Sequence, residues 1–254
     1  MRIERTVAGV RAALAEAATI GLVPTMGSFH EGHLSLFGAA RDECDTVVAS
    51  LFVNPAQFGD SADLASYPRD EEHDAELARE AGVDILFAPS PAAMYPPGFQ
   101  TWVDVEHLSK GLEGTKRPGH FRGVATVCLK FFTIIRPQRA YFGQKDAQQV
   151  AVVRRMVLDL DLELELRVLP IVRDADGLAL SSRNAALTPA ERERALALPR
   201  ALATRDPERA RALLAGLDVE YVELADFDPP ILAAAIRVGS THLIDNVVLD
   251  EGAK

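Results

Sequence analysis

The chain has 254 residues, 48% of them apolar, and a formal net charge of -10. Such a chain can bury one large core or two modest ones. Its acidity argues against nucleic acid or an anionic membrane as a partner, because such partners need an extended basic face. Cys44 and Cys128 show no C-x-x-C spacing, so we expect two buried free thiols and a cytoplasmic setting. No apolar run approaches the roughly 20 residues that span a bilayer.

Apolar runs and helical patterns alternate along the first two thirds of the chain. After an opening helix, we predict strands at residues 20–24, 46–53, 83–87, 101–105, 140–142 and 160–169. Helices are predicted at about 33–42, 70–81, 124–135 and 148–158, with a loop at 89–98 and a mobile basic loop at 109–123. This alternation is typical of a Rossmann-like α/β fold, a mostly parallel sheet with helices on both faces.

The pattern changes after residue 174. Thr188, Pro189 and Glu191 have the spacing of a helix start with a side-chain cap, and Asp206-Pro207 breaks or restarts the helix. Three short apolar runs follow at 219–224, 232–238 and 243–249. We therefore predict two domains: a Rossmann-like domain over residues 1–174, and a small C-terminal α+β domain of helix and antiparallel strands over residues 175–254.

The stretch from Pro24 to His33 lies between the first buried strand and a helix, which is the layout of phosphate-binding α/β proteins. His30 and His33 are spaced i, i+3 at the helix start, beside free backbone N–H groups and the positive end of the helix dipole. Gly32 leaves room for a phosphate to approach the backbone. The alternative is that both histidines are surface residues that cap the helix.

Other polar residues stand directly after predicted strands, where open α/β sheets bind ligands. They are Asn54 and Gln57, then Lys145 and Asp146 with Gln148 and Gln149, and finally the segment 181–184. Each has a structural alternative, namely a turn former, a surface ion pair or a helix start. Taken singly these signals are weak, and their order along one chain is what carries information.

That order resembles the pantothenate synthetase family, the ATP-dependent ligases that join pantoate to β-alanine, within the nucleotidyltransferase superfamily marked by H-x-G-H. The matching segments are residues 24–33, 52–58, 67–69, 117–124, 142–149 and 176–184. They span most of the first 185 residues. The chain departs from the family pattern in a short tail, with an apparent deletion around residues 199–207.

The resemblance implies a role for each matched position. The ATP phosphates would be held by His30, His33, Lys145, Ser181, Ser182 and Arg183, of which all but Ser182 are catalytic candidates. The rest of the nucleotide site would include Pro24, Gly32, Gly143, Asp146 near the ribose, and Val172. Pantoate would be fixed by Met26, Gln57 and Gln149, with Asn54, Tyr67, Arg117 and His120 close to the substrates. Mg2+ would accompany ATP, with Asp74 as a metal candidate next to His73, a position that is often acidic in relatives.

The resemblance also implies the reaction and the assembly. Pantoate would be activated as pantoyl adenylate with release of pyrophosphate, and β-alanine would then displace AMP. The C-terminal domain would close over the intermediate as a lid. The assembly would be a homodimer. An alternative is a nucleotidylyltransferase acting on a phosphorylated acceptor, although such an acceptor calls for cations where Gln57 and Gln149 stand. A catalytically silent nucleotide-binding protein is a third hypothesis, against which both histidines, Lys145 and Arg183 argue.

Overall fold

The computed structural model describes residues 1–59, 64–65 and 67–249. The chain forms two compact units, one of Met1–Phe142 with Val152–Leu169, the other of Gly143–Ala151 with Pro170–Lys254. The second unit thus begins a few residues before the boundary expected from the sequence. It also includes the segment Gly143–Ala151, which the sequence analysis assigned to the first domain.

The first unit is built on a six-stranded sheet with the strand order β1-β4-β3-β2-β5-β6. The strands are β1 Arg2–Glu4, β2 Ile20–Val23, β3 Thr46–Ser50, β4 Ile85–Phe87, β5 Arg139–Gly143 and β6 Glu165–Leu169. The pairs β1 with β4, β4 with β3, β3 with β2 and β2 with β5 are parallel. All four residues of β2 are buried, as expected of a parallel strand with helices on both faces. The predicted Rossmann-like sheet is confirmed.

Helices connect these strands and cover the sheet. They are Val7–Ala13, Glu31–Glu43, Glu71–Glu80, Pro91–Met94, Glu113–Lys116, His120–Ile135 and Ala147–Asp159, the last of which begins in the second unit. Phe37, Val47 and Tyr141 are completely buried in the core between sheet and helices. Within the described ranges, no helix is long and apolar enough to cross a membrane.

Four predicted elements differ from the structure. The predicted loop at 89–98 contains the helix Pro91–Met94, which Ser90 caps. Residues 101–105, all of them described, form no strand, because Trp102 packs on Tyr95 and the backbone N–H of Val103 donates to Thr126 Oγ1 instead of to a strand. The predicted loop at 109–123 contains the helix Glu113–Lys116. The helix predicted from residue 124 begins at His120, directly after Gly119 with φ +81°.

The second unit contains an antiparallel sheet of β7 Asp218–Ala225, β8 Ile231–Val238 and β9 Thr241–Val248, in that order. Its helices are Pro189–Ala195, Ala197–Leu202 and Pro207–Leu213. Thr188 and Glu191 form the predicted capping box, and Asp206 caps the helix that restarts at Pro207. Leu198, Leu202 and other apolar residues of helices and sheet form the unit's core. The predicted α+β architecture is confirmed.

Both cysteines are free and buried, as predicted. Burial raises the pKa of the Cys128 thiol to about 12. The thiol is therefore protonated at neutral pH, and because the thiolate is the reactive form, Cys128 serves packing.

The helix His120–Ile135 packs at very short range on a 3-10 turn formed by Pro55–Gln57. Gly123 makes this possible, since a methyl carbon on it would lie 2.3 Å from Ala56 O and 2.7 Å from Gln57 Cα. Both neighbours are backbone atoms, which cannot turn aside as a flexible side chain can. The position of the turn that carries Gln57 therefore depends on the absence of a side chain at residue 123.

We expect Gly123→Ala to lower the free energy of unfolding by about 1–3 kcal/mol, the usual cost of overpacking. Gly38→Ala is the matched control, because Gly38 is also helical and its methyl carbon would meet nothing within 4 Å. This control should gain up to about 1 kcal/mol from the better helix propensity of alanine. Urea unfolding measures both changes, and equal midpoints for the two variants would contradict the prediction.

Candidate active site

The carboxyl end of β2 is the point in the first unit where a ligand site is expected. β2 pairs with β3 on one side and with β5 on the other, so the chain changes direction across the sheet there, and open α/β sheets bind ligands at such switch points. Beyond the strand, Thr25 N donates to Ser50 Oγ at 2.9 Å, and Phe52 N donates to Thr25 O at 3.2 Å. These bonds hold the turn that begins at Pro24 beside the end of β3.

His30 and His33 form a reciprocal cap on the helix Glu31–Glu43. His30 is the N-cap residue, and its Nδ1 accepts the backbone N–H of Gly32 at 3.1 Å. His33 Nδ1 accepts the backbone N–H of His30 at 3.3 Å, and the two ring centroids are 4.3 Å apart. The predicted shared face and the alternative of helix capping are therefore both found in the same two side chains.

The cap decides which atoms of this motif can meet a phosphate. In a neutral imidazole, an Nδ1 that accepts a hydrogen bond leaves the proton on Nε2, so each ring offers an Nε2–H donor. The prediction of free backbone N–H groups is wrong for two positions, because Gly32 N–H donates to the His30 ring and His33 N–H to His30 O. An anion bound here would meet the imidazole N–H donors and the positive end of the helix.

Gly32 has a structural role in the cap that the sequence analysis did not foresee. A methyl carbon at this position would lie 2.9 Å from Cε1 and 3.0 Å from Nδ1 of His30. The space over Gly32 is thus filled by the capping ring, and glycine allows that ring to lie against the backbone. Gly32 contributes to the site by letting His30 close the cap.

Asp74 holds the turn between β2 and the histidines. Its side chain, in the first part of the helix Glu71–Glu80, is 1% exposed. Oδ2 accepts the backbone N–H of Ser28 at 2.8 Å, and Oδ1 accepts that of Phe29 at 2.7 Å. Positive φ angles of 95° at Gly27 and 56° at Ser28 turn these two donors toward the carboxylate.

The surroundings of Asp74 do not fit a protein-held metal ion. Both of its oxygens accept backbone N–H groups, and its neighbour His73 is exposed. Among the described residues, no group of three or more His, Cys, Asp or Glu side chains has the arrangement of a metal site. The structure gives Asp74 a place in the turn instead of a place in a ligand set.

Gln57 is fixed by two neighbours and is 6% exposed. Its Oε1 accepts from Asn54 Nδ2 at 3.0 Å, and its Nε2 donates to Met26 Sδ at 3.0 Å. Asn54 Nδ2 also donates to Gly123 O at 3.1 Å, while Asn54 Oδ1 accepts from Ala56 N and from the Tyr95 hydroxyl. Two of the predicted pantoate residues, Met26 and Gln57, are therefore in direct contact, with the predicted Asn54 orienting the amide.

His120 supports the same turn from the helix His120–Ile135. Its Nδ1 is 2.9 Å from Gln57 O, and its Nε2 is 3.3 Å from Arg117 Nη1. Because a guanidinium can only donate, Nε2 is the acceptor and the Nδ1 proton goes to the carbonyl oxygen. The predicted pair Arg117 and His120 thus acts on the backbone that carries Gln57.

Two tyrosines flank this region. Tyr67, a predicted site residue, packs edge-on against Phe58 with ring centroids 5.8 Å apart. Tyr95 lies in the segment 89–98 that the sequence analysis predicted as a loop. Its hydroxyl donates to Asn54 Oδ1 at 2.8 Å. Burial raises the pKa of Tyr95, so the hydroxyl keeps the proton that this bond needs.

The second unit gathers another group of predicted residues. Lys145, Ser181 and Arg183 line one small cavity together with Asn184, His242 and Asp245. Lys145 Nζ lies 3.5 Å from Asp146 Oδ1, so the ion pair weighed as an alternative is present. Ser181 is the N-cap of the 3-10 turn Ser182–Ala186, and its hydroxyl accepts the backbone N–H of Arg183 at 3.3 Å.

For the remaining predicted residues, the structure shows only their place in the fold or a backbone hydrogen bond. Gly143 ends β5, Val172 O accepts the N–H of Leu180 at 3.0 Å, and Gln149 is half-buried near the start of its helix. Gln57 and Gln149 belong to different units, and each is described only within its own. All roles in substrate binding stay predictions at this point.

Two polar residues of the second unit, His242 and Asn246, were missed by the sequence analysis, and a third, Asn184, was named only as part of the segment 181–184. His242 and Asn184 line the cavity with Lys145, and Asn246 bonds to the turn that carries Lys145. Asn184 lies inside a matching segment and could have been singled out there. His242 and Asn246 lie on β9, about 100 residues from Lys145, and no local pattern marks them.

Fold and site together define a class. An H-x-G-H sequence that caps a helix at the switch point of a parallel Rossmann-like sheet agrees with the resemblance found in the sequence. Residues 2–248 match the family model described as pantoate-beta-alanine ligase. The chain belongs to the pantoate–β-alanine ligase family, which confirms the predicted class of ATP-dependent carbon–nitrogen ligase.

Individual relatives agree with this assignment. A pantothenate synthetase from Heliobacterium modesticaldum is 52% identical and aligns over 92% of this chain and 93% of its own length. The crystal structure of the Thermus thermophilus pantothenate synthetase is 44% identical, with a TM-score of 0.93 over 98% of this chain and 99% of that one. The pantoate-beta-alanine ligase of Francisella tularensis, complexed with beta-gamma ATP and beta-alanine, is 32% identical, with a TM-score of 0.87 and full coverage of both chains.

The two roles considered for Asp74 predict different behaviour of Asp74→Asn. The amide keeps one oxygen acceptor but turns its NH2 group toward a backbone N–H, so we expect a loss of about 1–3 kcal/mol in the free energy of unfolding. Ligase turnover should fall with it, while the Mg2+ concentration for half-maximal activity stays unchanged. Glu72→Gln, exposed on the same helix, is the control. A raised Mg2+ requirement at unchanged stability would support the metal role instead.

Proposed function

We propose that this chain condenses pantoate with β-alanine through pantoyl adenylate, with release of pyrophosphate and AMP. The observation that carries the proposal is the oriented amide of Gln57. Asn54 fixes the orientation of this amide, because its Nδ2 donates to Gln57 Oε1. The Nε2 group of Gln57 is thereby directed toward Met26. A neutral, preoriented donor beside the H-x-G-H turn suits the hydroxyl or carboxylate oxygen of a small hydroxy acid.

In the first step, a carboxylate oxygen of pantoate attacks the α-phosphorus of ATP and the bond to pyrophosphate breaks. Negative charge gathers on the phosphoryl and pyrophosphate oxygens, so catalysis consists mainly of positioning and electrostatic stabilisation. The Nε2–H donors of His30 and His33 serve these oxygens. Their direction is set in advance, because each Nδ1 is already bonded to the helix backbone.

The cations of the second unit have a complementary role in the proposal. Lys145 and Arg183, which line one cavity with Ser181, bind ATP phosphate oxygens. Arginine can make two parallel bonds to a phosphate, whereas lysine acts as a compact point charge. Asp146, whose carboxylate lies near Lys145, is proposed to bond the ribose.

In the second step, the amine of β-alanine attacks the acyl carbon of the adenylate. The bond to AMP breaks, AMP leaves with that electron pair, and the new amide nitrogen gives up a proton. The Francisella tularensis relative was crystallised in complex with beta-gamma ATP and beta-alanine, which supports ATP and β-alanine as substrates of this chain.

Mg2+ is proposed as the companion of ATP and not as a resident of a protein cage. It prefers a few carboxylates together with substrate phosphates and waters, so it can arrive bound to the triphosphate. When bound there, it would neutralise phosphate charge. Both oxygens of Asp74 already accept backbone N–H groups. The protein's own contacts to the ATP phosphates are therefore assigned to His30, His33, Lys145 and Arg183. A homodimer and a cytoplasmic location complete the proposal, and both stay predictions.

The reaction can be tested with each substrate omitted in turn. Protein, ATP, Mg2+, pantoate and β-alanine should yield AMP and pantothenate in equal amounts. Without β-alanine, labelled pyrophosphate should exchange into ATP only when pantoate is present. No AMP from folded protein would contradict the proposal, and exchange that depends on a phosphorylated acceptor would favour a nucleotidylyltransferase.

The role of Gln57 is tested by Gln57→Glu. The glutamate keeps the oxygen that accepts from Asn54 but replaces the Nε2 donor by a charged oxygen, which repels the pantoate carboxylate. Because a hydrogen bond to a charged group contributes about 1.5–3 kcal/mol, we expect the KM for pantoate to rise by about 10- to 100-fold. The KM for ATP should stay within about twofold, and steady-state kinetics with each substrate varied measures both. An unchanged KM for pantoate would remove Gln57 from the pantoate site.

A further inference from the structure

Lys145 stands on a 3-10 turn, Gln144–Asp146, that Gly143 precedes without any side-chain cap. Asn246 of β9 bonds to this turn. Its Nδ2 donates to Gln144 O at 2.9 Å and to Lys145 O at 3.0 Å, and its Oδ1 accepts from Gln144 Nε2 at 3.1 Å. One side chain thus bonds to two successive carbonyl groups and to one side-chain amide of the same turn.

The geometry uses both donors and one acceptor position of the asparagine amide. Its two N–H groups serve two acceptors, and its oxygen serves one donor. Asn246 is 3% exposed, so water cannot replace a lost partner. Each buried polar group left without a hydrogen bond would cost about 1–3 kcal/mol of stability. The carbonyls on both sides of the Lys145 Cα are therefore anchored to β9.

The anchor itself is held rigidly. The backbone N–H of Asn246 donates to Asp245 Oδ1 at 2.8 Å, and Arg173 binds both oxygens of that carboxylate at 2.7 and 3.0 Å. In the antiparallel ladder, Asn246 on β9 is paired with Ala233 on the central strand β8. Asn246 can thus transmit a fixed position to the turn.

We propose that Asn246 is a positioning residue for the ligase reaction, acting through Lys145. It sets where the Lys145 backbone lies, and so where the ammonium group of that side chain can reach within the cavity lined by Ser181 and Arg183. The proposal rests on the function proposed above, in which Lys145 binds ATP phosphate. Asn246 itself touches no reacting atom.

Asn246→Ala should lower kcat by about 10- to 100-fold, the usual effect of misplacing a catalytic group by about 1 Å. The KM for pantoate should change much less than kcat, because the proposed pantoate residues Met26 and Gln57 lie in the first unit and the Asn246 side chain bonds to residues 144 and 145. Gln144→Ala removes only the bond to Oδ1 and leaves both carbonyl contacts, so its loss should be several-fold smaller. Thr241→Val, another buried polar residue on β9, is the matched control for a general loss of stability in this sheet.

The decisive measurement is a double-mutant cycle with Lys145→Ala. If Asn246 acts through the ammonium group, adding Asn246→Ala to Lys145→Ala should lower kcat by less than about threefold, because the group to be positioned is gone. A merely structural role would give the same 10- to 100-fold loss in both backgrounds. Circular dichroism and urea unfolding of all variants show which of them are folded, and where Asn246→Ala does not fold the cycle is run with Gln144→Ala.

The outcomes separate this proposal from the proposed function. Wild-type protein without ligase activity would refute the proposed function, independently of any Asn246 variant. Active wild-type protein together with an unchanged kcat for Asn246→Ala, or equal losses with and without Lys145, would overturn the positioning role. A large loss that disappears in the Lys145→Ala background, with Thr241→Val close to wild type, would support it.

Discussion

The candidate site of the first unit depends on one buried carboxylate, that of Asp74, which holds the turn after β2. After β2 the chain must turn from the sheet into the helix Glu31–Glu43 within a short segment. Positive φ angles at Gly27 and Ser28 make this turn. Such a turn directs two successive N–H groups inward, where each would cost about 1–3 kcal/mol without an acceptor. Asp74 accepts both, and its own charge lies in the first turn of a helix, where the helix dipole favours an anion.

The reciprocal histidine cap follows from that turn. With Ser28 and Phe29 held by Asp74, the chain arrives at His30 in extended conformation, as a helix N-cap requires. A serine or aspartate cap would satisfy the same N–H groups. Histidine does so with Nδ1 and keeps a second ring nitrogen. One side chain can therefore accept a backbone N–H and also offer a donor to a ligand. The H-x-G-H spacing is thus explained by helix geometry as well as by chemistry.

Local patterns made much of the fold predictable from the sequence. The buried runs of β2 and β3, and the caps at Thr188 and Asp206, depend on residues close together in the chain. The strand predicted at 101–105 failed because alternation cannot tell a sheet from a segment whose apolar side chains meet aromatic neighbours. Asp74 was named as a site residue, but its bonds to the backbone of Ser28 and Phe29 could not be foreseen, since these partners lie 45 to 46 positions away in sequence.

The two asparagines that orient the candidate residues show the same limit and a shared physical choice. Asn54 lies three residues from the Gln57 it orients, so the motif contains both, whereas Asn246 is 101 residues from Lys145. Each fixes a 3-10 turn with a neutral amide. A carboxylate at residue 246 would repel the two carbonyl oxygens and weaken the field of Lys145, and a cation there would compete for the phosphate. The amide supplies directed donors without adding charge, which leaves the electrostatics of the site to the residues that meet the substrates.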